Sequence, residues 1–224
     1  MVSPSNAAWV VKKIIDSRQS LMTQHFFQGS IHQTLARMVQ GDKFKIQKAY
    51  VAMQPQLPKV SWKNITLHKA IHPRFKFIIW LAIQQRLATV ERLQKIGIQV
   101  PMLCIFCDQE VESFEHLFFR CVYSNQIWTR MLKWMGNYRS IGPWQQEIEW
   151  VSQIAKKKTS QAEAICCTFA MVIYNIWKDR NTLRFKRGQV EVSHTCKDIA
   201  MHLHIQGRNK ASWPTMLSSL NHFP

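Results

Sequence analysis

Glycine and proline are scarce in this chain, seven and eight among 224 residues. With so few turn formers, sheet-rich and loop-rich architectures lack punctuation, and helix becomes the default. Acidic residues are also few: 13 Asp plus Glu stand against 30 Lys plus Arg, a formal charge of +17. The five aspartates, Asp16, Asp42, Asp108, Asp179 and Asp198, are scattered singly. Polymerases and nucleases of the two-metal kind need clustered carboxylates, so neither activity is expected, and no carboxylate group fits an RNase H. A G-x-S-x-G elbow and a phosphate-binding glycine loop are missing as well. An enzyme is therefore not expected, and no small-molecule substrate either. The longest apolar stretch, "AICCTFAMVIYNIW" at 164–177, falls short of the ~20 residues a bilayer requires. It reads as a buried helix, with no membrane partner. The opening "MVSPSNAAWVVKKIIDS" is broken by Lys12 and Lys13 and has no apolar core of signal length. The expected location is intracellular, nuclear or cytoplasmic, and not secreted.

What is present is apolar and basic. Hydrophobic residues make up 46% and aromatics 11%, too many for a disordered chain. The positive charge favours a polyanion. It is unevenly spread: residues 101–150 carry four basic and six acidic side chains, while 59–100 carry eight and one. Helical spacing runs through "AAWVVKKIIDSRQSLMTQHFF", with Asn6 as a cap. A dense apolar helix is expected from Pro73, and a short one after Thr89 that Gly97 stops. "SNQIWTRMLKWMG" reads as a helix capped by Ser124 and stopped by Gly136. Pro143 opens another that ends in Lys156, Lys157 and Lys158. Ser160 and Glu163 have capping-box spacing ahead of a helix through Trp177. A last helix is expected over about 193–205, with a frayed tail beyond Gly207. No alternating run argues for a sheet. The expected fold class is all-α, an irregular helical domain with a small insert of CCHC pattern. The expected regions are a helical flank at 1–58 ending near Pro55 and Pro58, the metal-binding domain at 59–140, a helical region at 141–207 and a tail at 208–224.

The insert is "CIFCDQEVESFEHLFFRC", residues 104–121. Cys104, Cys107, His116 and Cys121 have the spacing C-x2-C-x8-H-x4-C. A C-x2-C pair lets one tight turn aim two thiolates at one cation, and a returning segment supplies the other two donors. Ser113 is placed to cap a short helix carrying His116. Cys121 lies five positions on, about 140° around an ideal helix, so it is expected where the helix ends or tightens. Three thiolates and an imidazole favour one structural Zn2+ over harder cations. The alternative is a chance cluster of reduced core cysteines. Asp108, Glu110, Glu112 and Glu115 are expected to face solvent or to support the ligands from behind. Cys166 and Cys167 read as small apolar core residues, and a second metal site near Cys196, His194, His202 and His204 is not favoured.

Around this insert the chain resembles the zinc-binding domain of reverse transcriptases from plant LINE-type (non-LTR) retrotransposons. The resemblance is carried by Trp62, the Phe-Lys-Phe-x-x-Trp-Leu run at 75–81, "RLATVERL", the C-x2-C pair, Glu112, "HLFFRC" and Ile127-Trp128. It spans about Lys59 to Gly136, with weaker echoes in "AAWVVKKIIDSR" and "IYNIWKDRNTLRF". Glu91 stands where the pattern has an aspartate. The resemblance implies a non-catalytic domain that binds RNA or DNA beside a reverse transcriptase core. Candidate phosphate contacts are Lys59, Lys63, Lys69, Arg74, Lys76, Arg86 and Arg92 on one side of the insert. On the other are Lys156, Lys157, Lys158, Lys178, Arg184, Lys186 and Arg187. Trp62 and Trp80 are expected in the core. Two alternatives stand beside this: a zinc-stapled protein-interaction module, and a retroelement remnant without function.

Overall fold

The computed structural model describes residues 31–41, 43–53, 60–186, 188–220 and 224. The helix expected near the start, the loop with Pro55 and Pro58, and the candidates Lys59 and Arg187 lie outside the described residues. The chain divides into two units, Met1–Lys59 and Val60–Pro224. In the first, α1 (Ile31–Met38) runs into a minimal hairpin of β1 (Val39–Gln40) and β2 (Lys43–Phe44), followed by α2 (Ile46–Met53). The hairpin is antiparallel, with Val39 opposite Phe44 and Gln40 opposite Lys43.

The second unit is helical: α3 (Lys63–Thr66), α4 (Pro73–Ile83), α5 (Val90–Lys95), a π-helical turn (His116–Arg120), α6 (Val122–Trp134), α7 (Trp144–Ile154), α8 (Ser160–Lys186), α9 (Val192–Arg208) and α10 (Pro214–Ser218). Among the described residues the only strands are the two of the hairpin, two residues each. The all-α reading holds. None of the described helices is long and apolar enough to cross a membrane.

The organising element is α8. From Ala164 to Ile173 every residue is buried, and a helix apolar on all sides must be wrapped by others. Helices α4, α6, α7 and α9 pack around it, and so does the π turn. One core joins Ile65 of α3, Ile79 of α4, Trp128 of α6, Trp144 of α7, Phe169 of α8 and Leu203 of α9. Cys166 and Cys167 sit inside it as the apolar residues expected.

Several helix ends follow local rules. His72 is extended before Pro73, which takes the first position of α4 where no N–H is needed. Gly97 and Gly136 adopt left-handed φ of 81° and 76° just past α5 and α6. The N–H groups of Ile98 and Asn137 then donate to the carbonyls of Leu93 and Leu132, five residues back, the closure a left-handed glycine permits.

Other ends depart from expectation. The cap of α8 is Thr159, whose Oγ1 accepts from Ala162 N at 3.2 Å. Glu163 does not complete a capping box with Ser160; its carboxylate accepts from Trp213 Nε1 at 2.9 Å and Lys210 Nζ at 3.0 Å. Ser124 lies inside α6, buried, and donates to the Leu117 carbonyl. The helix starts earlier, after Cys121. Helix α8 continues to Lys186 and α9 spans Val192–Arg208, both longer than the apolar pattern suggested. Nor is the tail frayed over its described residues to Leu220: Trp213 is fully buried against α9 and leads into α10. Buried indole surface with a satisfied N–H outweighs the polar composition around it.

Candidate metal centre

The backbone from Met102 to Val111 folds into a tight reversal. Glu112 N–H donates to the Met102 carbonyl at 2.9 Å and Cys104 N–H to that of Glu110 at 2.7 Å, around a single bridge between Leu103 and Val111. At the tip, Asp108 N–H donates to the Cys104 carbonyl at 2.8 Å. Asp108 itself takes a left-handed φ of 52°, a region aspartate tolerates better than most residues. This turn points Cys104 and Cys107 the same way. The chain returns through Ser113, whose Oγ accepts from His116 N at 3.1 Å, as its spacing predicted.

The register of the fourth ligand comes from an unanticipated device. The helix carrying His116 widens rather than tightens. Cys121 N–H donates to the His116 carbonyl at 2.7 Å, an i→i+5 bond that closes a π turn over His116–Arg120. A π turn needs about one more residue per revolution than an α turn, so residue i+5 returns above residue i instead of 140° away. The helix then ends at Cys121, which is extended with ψ 136°. H-x4-C thus places both donors on one side.

The ligand atoms of Cys104, Cys107, His116 and Cys121 all lie within 4.8 Å of one another. Cys104 Sγ and Cys121 Sγ are 3.8 Å apart, and Cys107 Sγ and His116 Nε2 are 3.3 Å apart. Tetrahedral zinc with bonds of about 2.3 Å to sulfur and 2.0–2.1 Å to nitrogen would set edges of about 3.8 Å and 3.6 Å. The first matches, and the second needs a few tenths of an ångström of expansion. Cys104, His116 and Cys121 are buried and Cys107 is half-buried, so the site is closed. The Cys121 thiol donates toward Cys104, and the N–H groups of Phe106 and Cys107 aim at the same sulfur, holding the Cys104 thiol well below its ordinary value. That is the state a metal requires.

Of the four carboxylates of the insert, Asp108 faces solvent and the other three are engaged. Glu110 Oε2 lies 3.0 Å from His116 Nδ1, which leaves Nε2 facing the sulfurs; a carboxylate behind a ligating imidazole fixes its tautomer and raises its basicity. Glu112 is fully buried and accepts from Arg180 Nη2 at 2.7 Å, Arg184 Nη2 at 3.0 Å and Val90 N at 3.1 Å. Val90 is the first residue of α5, where the Thr89 side chain makes no capping bond, so Glu112 caps that helix from 22 residues away. Glu115 accepts from Trp144 N at 3.2 Å, at the start of α7. Glu112, Glu115 and the Arg180–Arg184 pair are the functional residues that sequence reasoning missed. Their signals were Glu112's place in the resemblance and that of both arginines in its echo "IYNIWKDRNTLRF".

The basic candidates fall into separate places. Lys63, Lys69, Arg74, Arg86, Arg92, Lys156, Lys157, Lys158, Lys178 and Lys186 are exposed, and Lys76 is half-buried. None of them forms an ion pair among the described residues. Helix α3, with Lys63, packs on α7, whose C-terminal end runs into Lys156–Lys158. Lys186 closes the 27-residue α8. Arg184 is committed elsewhere, to Glu112 and to the carbonyls of Pro101 and Leu103. Trp62 is half-buried against the core, but Trp80 is 38% exposed, contrary to its expected place inside. Among the described residues the only metal-capable cluster is the CCHC set; Cys196 is buried alone in the core.

Comparison with curated proteins and with solved structures gave no match. Residues 44–128, a stretch that takes in the whole CCHC set, match the family model described as zinc-binding in reverse transcriptase.

Proposed function

We propose that this chain binds one structural Zn2+ through Cys104, Cys107, His116 and Cys121, and is the non-catalytic, nucleic-acid-binding part of a reverse transcriptase from a plant LINE-type retrotransposon. The observation that carries the reading is the convergence of three sulfurs and one imidazole nitrogen within 4.8 Å, in a stretch matched to the family described as zinc-binding in reverse transcriptase. Four protein donors leave no open position for water or substrate, so the ion's work is structural. Bound there, it neutralises thiolate charge and ties the 104–107 turn to the π turn. Through Glu112 and Glu115 that junction also fixes the starts of α5 and α7.

RNA or DNA is the partner because Lys63 on α3, Arg74 and Lys76 on α4 and Lys156–Lys158 just past α7 have no carboxylate partner among the described residues. Contacts of this kind give affinity without base choice, and the affinity falls steeply with salt. A second reading has its own observation. Around the centre, Ile98, Met102, Leu103, Ile105 and Val111 are exposed, an apolar rim suited to docking on a polymerase core.

Purified protein should carry one zinc per chain. Cys104→Ser with Cys107→Ser should lose it and loosen the insert, while Cys166→Ser keeps it. Retention on RNA or DNA at low salt, lost steeply as salt rises, supports the nucleic-acid role. Failure to bind either leaves the docking reading, and absence of metal sinks the whole proposal.

A further inference from the structure

Helix α4 has an outer face that its inner face does not explain. Ile79 and Ala82 are buried, and Phe75, Ile78, Leu81 and Ile83 pack against the core. Pro73, Phe77, Trp80 and Gln84 follow each other at steps of four, three and four, all exposed. That spacing lines them along one narrow stripe. At its centre Phe77 and Trp80 stack on each other, centroids 6.3 Å apart and planes 30° apart, with 59% and 38% of their surface in water.

The charges on α4 itself are both positive. Lys76 is one turn from Trp80 and Arg74 one turn from Phe77. From Val60 to Val90 the chain holds no carboxylate. The Arg74 guanidinium is held over the Tyr174 ring at 4.5 Å. At the N-terminal end of α4 the stripe opens into a groove of about 550 Å³ lined by Lys69, His72, Arg74, Phe75, His202 and Lys210 among others. Of these, Lys210 is engaged by Glu163.

Flat apolar rings among cations fit one chemistry better than others: an unpaired base has a π face for the ring and a phosphate for the cation. Duplex bases are already stacked on each other and present only edges. We infer that the outer face of α4 is a stacking platform for single-stranded nucleic acid, the strand's phosphates running toward the Lys69–Lys210 groove. This rests on the nucleic-acid role proposed above and assigns it to particular residues.

The test measures binding of three probes at one salt concentration: a 20-nucleotide single strand, the same length with abasic sites throughout, and a duplex. The native chain should bind the base-bearing strand about 10-fold or more tighter than the abasic one, since each stacked base contributes about 1–3 kcal/mol. Phe77→Ala with Trp80→Ala should abolish that ratio while leaving salt dependence, duplex binding, zinc content and helicity unchanged. Lys69→Gln with Lys76→Gln should do the reverse, flattening the salt slope and preserving the ratio. Phe77→Leu with Trp80→Leu should behave like the alanine pair; recovered binding would show greasy contact rather than stacking and overturn the inference. Native chain that binds strands but shows no base-to-abasic ratio, or keeps it in the alanine variant, overturns the platform and leaves the nucleic-acid role standing. Native chain that binds no probe overturns both, and leaves the stripe to a protein partner.

Discussion

Glu112→Ala tests whether the metal insert is bolted to the helical body through its carboxylates. The side chain is fully buried, and Arg180, its main partner, is 1% exposed. Arg180 contributes Nη2 at 2.7 Å and Nε at 3.1 Å; Arg184 and the Val90 N–H complete the set. Alanine leaves a guanidinium buried without a counter-charge, and removing one partner of such a pair costs about 3–5 kcal/mol. The orphaned Val90 N–H belongs to the same loss, since an unsatisfied buried donor alone costs about 1–3 kcal/mol. For a unit of this size each kcal/mol lowers Tm by about 2–4 °C, so a fall of about 10 °C is expected in thermal unfolding followed by circular dichroism. Zinc content should stay at one per chain, because no ligand is touched. The pairing Glu112→Leu with Arg180→Leu removes both charges, and should return most of the loss, as apolar replacement of buried pairs commonly does. Arg184, near the surface at 9% exposure, can turn to water. A Glu112→Ala chain within about 1 kcal/mol of native stability, or a double variant as unstable as the single one, refutes the reasoning.

Three further outcomes are expected. At Gly207 an added Cβ would meet the Leu217 side chain and Trp213 Cε3 at 2.8 Å; Gly207→Ala should destabilise by about 1–3 kcal/mol, measured by urea unfolding. Asp179 is buried and accepts from the Tyr123 and Thr195 hydroxyls at 2.9 Å and 2.8 Å. Burial pushes its carboxyl above the usual 3.8, so the folded chain holds this proton more tightly than the unfolded one. The contribution to stability is present at low pH and lost as pH rises from 3.8 through the folded value. Asp179→Asn should therefore be more stable than the native chain at pH 7, with the advantage shrinking toward pH 4; equal advantage at both pH values would contradict the assignment. Chelation should loosen the insert and open its three thiols, Cys104, Cys107 and Cys121, to a thiol reagent. Burial pushes Cys166 and Cys167 up to about 12 and Cys196 to about 11, so they should stay silent. Six reactive thiols after chelation would mean that the helical body itself depends on the metal.

Local rules read this chain well where the partners are local. Gly97 and Gly136 stop helices because left-handed backbone closes the last turn within five residues. The C-x2-C turn and Ser113's bond to His116 likewise lie inside one reversal. The misses share the opposite property. Glu163 has a nearby helix start to cap, yet its carboxylate goes to Trp213, fifty residues on. Ser124 was read as a cap because its position before an apolar run is all that spacing can see, while the Leu117 carbonyl it serves sits across the bend made by the π turn. Trp80 lies in an apolar run, but a run of that density turns some of its members outward whatever their hydrophobicity.

The charge map changes meaning once those long-range partners are known. Residues 101–150 are the least basic part of the sequence. Yet Glu112 and Glu147 are fully buried, with arginines Arg180, Arg184 and Arg139 against them. Glu115 is spent on the α7 N-terminus and Glu110 on the imidazole. Much of the negative charge of this stretch therefore works inward, as the carboxylate scaffold of a metal junction, while Asp108 and Glu110 stay exposed beside apolar Met102, Leu103, Ile105 and Val111. Lysines and arginines with no carboxylate of their own stay in solvent, at Lys63, Arg74 and Lys156–Lys158 as well as at Arg120, Arg130 and Lys133. Two surfaces of different chemistry follow from one folding problem. The junction needs acids to cap helices and orient a ligand and spends them inward, whereas most lysines and arginines are left in solvent without internal partners.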